Sequence, residues 1–266
     1  MSSPSVMYGP DSLAYETYDP VSPAPGVPVE GGSIAHRGRY PLGTQLVLQD
    51  GRKFRFFLNG GVLGVIGDVA QTAVVVTTDV DMTPTAISAT VNQLGARTVS
   101  FTHGAGTAVI NQYAEGYVIM SLAPGGGHTY KIAGHAALTS GGTAEVVRLA
   151  PGHAIREAIT IVTDIDLIPH PYSGDIQLAA TITGTPVGVY VTATPIDDFG
   201  WLATRGICGT LSAASLTIGS PAVALLSGGT AGAVAPASAG TQPEVGRVVR
   251  IAAATEFSAI FLTIDG

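Results

Sequence analysis

Beyond residue 36 the hydrophobic pattern is that of short β-strands. Residues 45–48, 73–78, 117–120, 158–163, 187–191 and 259–264 are brief aliphatic or β-branched runs. That composition suits a pleated, half-buried surface. Glycine clusters separate the runs, among them Gly104-Ala105-Gly106, Gly125-Gly126-Gly127, Gly141-Gly142 and Gly228-Gly229. With 35 glycines and 17 prolines, helix is confined to a turn or two, at residues 68–73 or 153–158. The expectation is an all-β fold of sandwich-like or barrel-like units.

Residues 1–36 break this pattern. Pro4, Pro10, Pro20, Pro23, Pro25 and Pro28 preclude a long helix and favour extended chain. Tyr8, Tyr15 and Tyr18 lie between them. This segment is expected to be an extended N-terminal arm, either a free tail or an arm that orders on a neighbouring subunit. The tyrosines favour the second, because they offer stiff contact area at low entropic cost. A β domain over 37–170 would follow. Residues 171–266 would be a second β domain or a continuation of the first, with Pro169-His170-Pro171 as the break. The pattern Thr-Asp-aliphatic-Asp-aliphatic-x-Pro occurs at both 78–84 and 163–169. It marks either a duplicated β unit or a coincidence in a simple β-rich sequence.

Composition narrows the function. Only 12% of residues are charged, against about 25% in ordinary soluble domains. Even so, the best apolar run, 62–76, is interrupted by Asp68 and Gln71 and falls short of the roughly 20 residues of a membrane span. A net charge of −7 makes a poor counter-ion for phosphate. Neither membrane nor nucleic acid is expected as a partner. Cys208 stands alone, which excludes an internal disulfide and suits a small buried hydrophobe. The N-terminus lacks the basic and apolar regions of a signal peptide, so assembly in a cytoplasm is expected.

Candidate chemistry is thin. On a strand, Asp79 and Asp81 would share a face, as would Asp164 and Asp166. Such pairs either hold Ca²⁺ or solvate a strand edge against aggregation. The six histidines lack the i, i+4 spacing of a helical zinc site. His128 and His135 bracket a hairpin strand and fall on opposite faces. No Gly-x-Ser-x-Gly elbow and no phosphate-binding loop occurs. No cofactor and no enzymatic activity are expected, although a triad assembled in space would leave no sequence trace.

The run Arg52-Lys53-Phe54-Arg55-Phe56-Phe57 remains. Strand alternation gives both of its faces a mixture of charge and aromatic surface, unlike a simple half-exposed strand. Either the arginines snorkel at a barrel rim, or the strand contacts a protein partner.

Three segments together resemble a family of tailed-bacteriophage virion proteins encoded beside the major capsid protein. The first is Asp50-Gly51-Arg52-Lys53-Phe54-Arg55-Phe56 with Asn59-Gly60-Gly61 and Gly67-Asp68-Val69-Ala70-Gln71. The second is Gly116-Tyr117-Val118 with Pro124-Gly125-Gly126-Gly127-His128-Thr129-Tyr130-Lys131-Ile132. The third runs from Asp164-Ile165-Asp166 through Thr183-Gly184-Thr185-Pro186 to Gly200-Trp201-Leu202. The resemblance implies a capsid decoration (cement) protein, a homotrimer bound to the major capsid protein on the outer surface of the head. Arg52, Lys53, Arg55, Phe56, Tyr8, Tyr15 and Tyr18 are the expected contact residues. The alternative is a tail- or fibre-associated β module that binds a host glycan, with Trp201 and Tyr172 as stacking platforms.

Overall fold

The computed structural model describes residues 6–15, 40–86, 91–225, 228–238 and 240–265. They fall into two compact units. The first gathers residues 6–15, 40–74 and 171–265, and the second holds 75–170. The expected break at 170 is where the chain returns to the first unit. Residues 40–74, expected to fold with 75–170, instead belong with the C-terminal stretch.

The first unit opens with β1 (Val6–Tyr8), β2 (Gln45–Val47), β3 (Lys53–Asn59) and β4 (Val69–Gln71). The second unit contributes β5 (Thr98–Phe101), β6 (Tyr117–Met120), β7 (Thr129–His135), β8 (Glu145–Leu149) and β9 (Ile165–Ile168). The chain then completes the first unit with β10 (Ser173–Gln177), β11 (Pro186–Tyr190), β12 (Phe199–Leu211), β13 (Pro221–Val223), β14 (Ala235–Pro236), β15 (Glu244–Arg250) and β16 (Phe257–Thr263). The fold is all-β, as expected.

In the first unit the sheet order is β1-β2-β3-β10-β4-β11-β12-β16-β15-β13-β14, and an extra β3–β12 pairing closes a barrel. Strand β12 makes this possible. Its first half pairs with β3, from Phe199↔Leu58 to Arg205↔Lys53. Its second half pairs with β16, from Arg205↔Thr263 to Leu211↔Phe257. A strand shared in this way is buried on both faces where it crosses the barrel. Phe54, Phe56, Phe199 and Trp201 pack on one side, and Phe57, Tyr190 and Leu202 on the other. Phe56 and Phe199 stack 5.5 Å apart, and Trp201 meets Phe56 at 5.1 Å. In the second unit the order is β5-β8-β7-β6-β9 around a separate core that includes Phe101, Val118, Met120 and Ile132.

Two loops of the first unit, 60–67 and 191–198, are tied by matched hydrogen bonds. Gly64 N donates to Thr194 O (2.9 Å) and Thr194 N to Gly64 O (3.1 Å). Tyr190 N donates to Asp68 O, and Asn59 N to Asp198 O. Gly67 N donates to Tyr190 O, and Asp197 N to Asn59 O. The result is an approximate two-fold correspondence between the stretches 59–69 and 190–199. Gly64 is required here, because a Cβ would run into the Tyr190 ring.

Buried Asn59 binds the pair together. Its Nδ2 donates to Val62 O (2.8 Å), Thr194 O (2.9 Å) and Pro195 O (3.0 Å), and its Oδ1 accepts from Tyr190 Oη (2.9 Å).

Several expected elements change. Residues 73–76 form no strand: Val74, Val75 and Val76 are exposed, and a 3₁₀ turn follows at Thr77–Asp79. Residues 158–163 likewise leave the sheet, with Ile161 and Val162 exposed. β-propensity without a pairing partner does not make a strand. Residues 68–73 supply β4, and 153–158 form bends and irregular chain, so neither is helical. The repeated Thr-Asp pattern is a contact, since Met82 and Ile165 form an antiparallel bridge. Of the expected arm, residues 1–5 and 16–36 lie outside the described residues. Its described residues form β1 and a 3₁₀ turn at Asp11–Tyr15 that buries Ala14.

Asn59→Ala removes one acceptor and two donor protons from a dry site, so it should destabilise the protein by about 2–4 kcal/mol. Tyr190→Phe removes a single hydroxyl and should cost about 1 kcal/mol. Denaturant unfolding of the two variants checks both values.

Candidate interaction site

β1 lies parallel to β2 at the sheet edge, with Val6↔Gln45, Met7↔Leu46 and Tyr8↔Val47 in register. The following 3₁₀ turn brings Asp11 and Tyr15 to the end of the β2–β3 hairpin. Together they form a groove of about 780 Å³ whose walls include Tyr8, Asp11, Val47, Gln49, Asp50 and Arg52.

Arg52 is its centre. The guanidinium donates to Asp11 and Asp50 at 2.6 Å each and to Tyr15 Oη at 3.5 Å, and it lies 5.8 Å from the Phe54 ring centroid. Burial opposes the Arg52 charge, but hydrogen bonds to Asp50 and Tyr15 and the charges of Asp50 and Asp11 outweigh it and raise its pKa. Asp50 is held below the usual carboxylate range by the Arg52 backbone N–H and then by the Arg52 side chain. Exposed pairs of this kind are screened by solvent, so they orient the segment more than they hold it.

Tyr8, Tyr15 and Arg52 are therefore brought together. Lys53 is half-buried at the start of β3, on the same face as Arg55. Arg55 is committed inside the chain: it donates to both carboxylate oxygens of Asp265 and to Gly43 O, all at 2.8 Å. Phe56 is fully buried. The mixed faces of the cationic strand thus arise from an internal ion pair and an aromatic core, and Arg55 and Phe56 leave the contact set. Tyr18 lies outside the described residues. Trp201 is 1% exposed and so is no platform for a sugar ring.

Two buried polar clusters carry no sequence signature. In the second unit, Asp79 Oδ1 bonds His103 Nε2 at 2.8 Å, and Asp79 Oδ2 accepts a short hydrogen bond from Tyr113 Oη. The other His103 nitrogen faces Thr139 O at 3.0 Å. The arrangement superficially suggests part of a catalytic triad, but both imidazole nitrogens are engaged and the ring is fully buried. Nearby, His135 Nε2 accepts from Tyr113 N and its Nδ1 donates to Ala136 O, which fixes the neutral tautomer. Burial lowers the His135 pKa, partly offset by that carbonyl. The first aspartate pair does not form the expected face: Asp79 is buried in the 3₁₀ turn, whereas Asp81 is exposed with φ 53° and donates its N–H to the Asp166 carboxylate. Asp164 and Asp166 lie at alternate, half-buried positions at the start of β9. Among the described residues, no group of three or more acidic, histidine or cysteine side chains is placed to hold a metal ion.

In the first unit, Asp175 is fully buried and neither carboxylate oxygen has a hydrogen-bond partner. Burial raises its pKa well above the ordinary value. Spacing could not have found it, because β10 reaches the interior only by pairing with both β3 and β4.

A scan against protein-family models finds no match to this chain, and no curated protein or solved structure matches it significantly.

The native state retains the Asp175 proton to higher pH than the unfolded chain does. Stability is therefore greatest below the ordinary carboxylate range and falls as pH rises through it, until native Asp175 itself ionises. Asp175→Asn should flatten that slope and stabilise the protein at pH 7 by about 1–3 kcal/mol. Unfolding measured from pH 4 to pH 8 tests this.

Proposed function

We propose that this chain is a structural subunit of an assembly, and specifically that it decorates the outer surface of a tailed-phage head as a non-enzymatic cement protein. The observation that carries the reading is an apolar loop pair. Val62, Leu63, Val65, Ile66 and Ile196 are each 45–55% exposed on the two loops joined by the Gly64–Thr194 bridge. Aliphatic side chains exposed on two adjoining loops suit a protein contact and support this reading. The low charged fraction suits a surface covered in an assembly, and the resemblance of the sequence to decoration proteins supports the choice of a phage head.

The mechanism is mechanical. A partner that binds only the completed shell stabilises it by mass action, and trimers bridging adjacent capsomers add interface that resists the pressure of packaged DNA. Contact falls to the loop pair, with Tyr8, Tyr15, Arg52 and Lys53 at a second edge of the same unit.

In purified virions the chain should be present at a fixed ratio to the major capsid protein, with labelled antibody on heads. Its absence from particles ends this reading, and tail labelling moves the assignment to a fibre protein. The double variant Leu63→Asp/Ile66→Asp should change unfolding free energy by less than about 1 kcal/mol, since both side chains are exposed. Head occupancy should nevertheless fall at least about tenfold, the factor that 1.4 kcal/mol of lost contact produces.

A further inference from the structure

The segment Val6–Tyr15 occupies its seat through few contacts. They include three parallel residue pairs with β2, the buried methyl of Ala14, partly buried Met7 and Leu13, the proximity of the 3₁₀ turn to β12, the Asp11–Arg52 ion pair and a long Arg52–Tyr15 Oη hydrogen bond. The outer side of the seated segment stays open, with Tyr8 82% and Tyr15 46% exposed. Between Tyr15 and Tyr40 lie 24 residues, with prolines at 20, 23, 25 and 28. A chain of that length can reach up to roughly 80 Å.

A connection of this length reaches the seat on its own chain or on a neighbour. Backbone pairing, a small apolar plug and one carboxylate–guanidinium contact are identical in either case. We propose that in solution the seat on β2 is filled by the Val6–Tyr15 segment of a second copy of this chain, in reciprocal exchange that closes an oligomer. Filling it from the same chain closes a long loop around a weakly held strand and leaves both tyrosines in water. Filling it from a second copy makes the same contacts and lays the donor's body beside the seat. Tyr8 and Tyr15 then become seam residues, suited to that place by large rigid area at low entropic cost. The exchange concerns the free protein and stands apart from the virion reading.

The pairing register supplies the test. Tyr8 and Val47 are opposite each other on the outer face of β1 and β2. Neighbouring strands lie about 4.8 Å apart, within the Cα range of a disulfide. The native thiol, Cys208, which burial pushes up to about 11, is removed by Cys208→Ala. In that background the double variant Tyr8→Cys/Val47→Cys is refolded, oxidised and run on a non-reducing gel. Exchange predicts that more than half of the chain migrates as covalent dimers or larger rings. Refolding an equal mixture of the two single variants should likewise give a Tyr8→Cys/Val47→Cys heterodimer, identified by mass. A double variant that is oxidised wholly within monomers, with no heterodimer in the mixture, overturns the proposal. So does the absence of any cross-link at these positions.

Discussion

The architecture of the first unit hangs on one side chain. Asn59 ends β3 at the point where the 60–67 and 191–198 loops cross, and its amide satisfies carbonyls from both. Asn59 is fully buried, so without its amide the buried groups it meets would carry the cost of unmade hydrogen bonds. The amide therefore fixes how the two loops approach. That approach sets the register in which β4 leaves one loop and β12 leaves the other. β12 can then close the barrel on β3 and still extend to β16. The second unit uses the same device with other residues. Asn111 exchanges hydrogen bonds with the His135 backbone, Ala108 bridges Leu138, and Gly104 accepts from Gly141.

The distribution of charge follows from the same economy. Some of the chain's ion pairs are local, such as Arg247–Glu244, and others close long-range joints. Arg55 and Asp265 are 210 residues apart in sequence and lock the C-terminal end of the chain to β3. Burial opposes ionisation of Asp265, but the Arg55 hydrogen bond and charge prevail and hold its pKa below the usual range. Asp175 shows the reverse balance, since nothing compensates its burial.

Local features of the sequence were legible where local chemistry decides the outcome. Residues 117–120 are β6, 187–191 overlap β11, and 259–264 overlap β16. Each alternates or is buried on both faces as its composition demands. Residues 73–78 have equally strong β-propensity and form no strand, because no neighbour is in register to pair with them. The cationic strand misled for a related reason. Its partners, Asp11 and Asp265, come from opposite ends of the chain, and no spacing reveals them. The correspondence between 59–69 and 190–199 was hidden because its parts are backbone hydrogen bonds. Asn59 and Tyr190, Gly64 and Thr194, Gly67 and Asp197 are matched positions with unlike side chains, whereas Asp68 and Asp198 match in kind. The repeated pattern at 78–84 and 163–169 belongs to two segments that touch.

The loop crossing carries an apolar surface. The Asn59 amide draws the carbonyls of Val62, Thr194 and Pro195 together, and while Thr194 is buried, several neighbouring side chains stay about half exposed. Polar residues there would be the inexpensive choice for a chain that stays alone in water. Val62, Leu63, Val65, Ile66 and Ile196 occupy those positions, each about half exposed, around a knot of backbone and Asn59 hydrogen bonds. Aliphatic groups left half exposed on a hydrogen-bonded frame are pre-organised for contact. They lose little conformational entropy on being covered, and their burial supplies the hydrophobic gain that so weakly charged a surface cannot obtain from ion pairs.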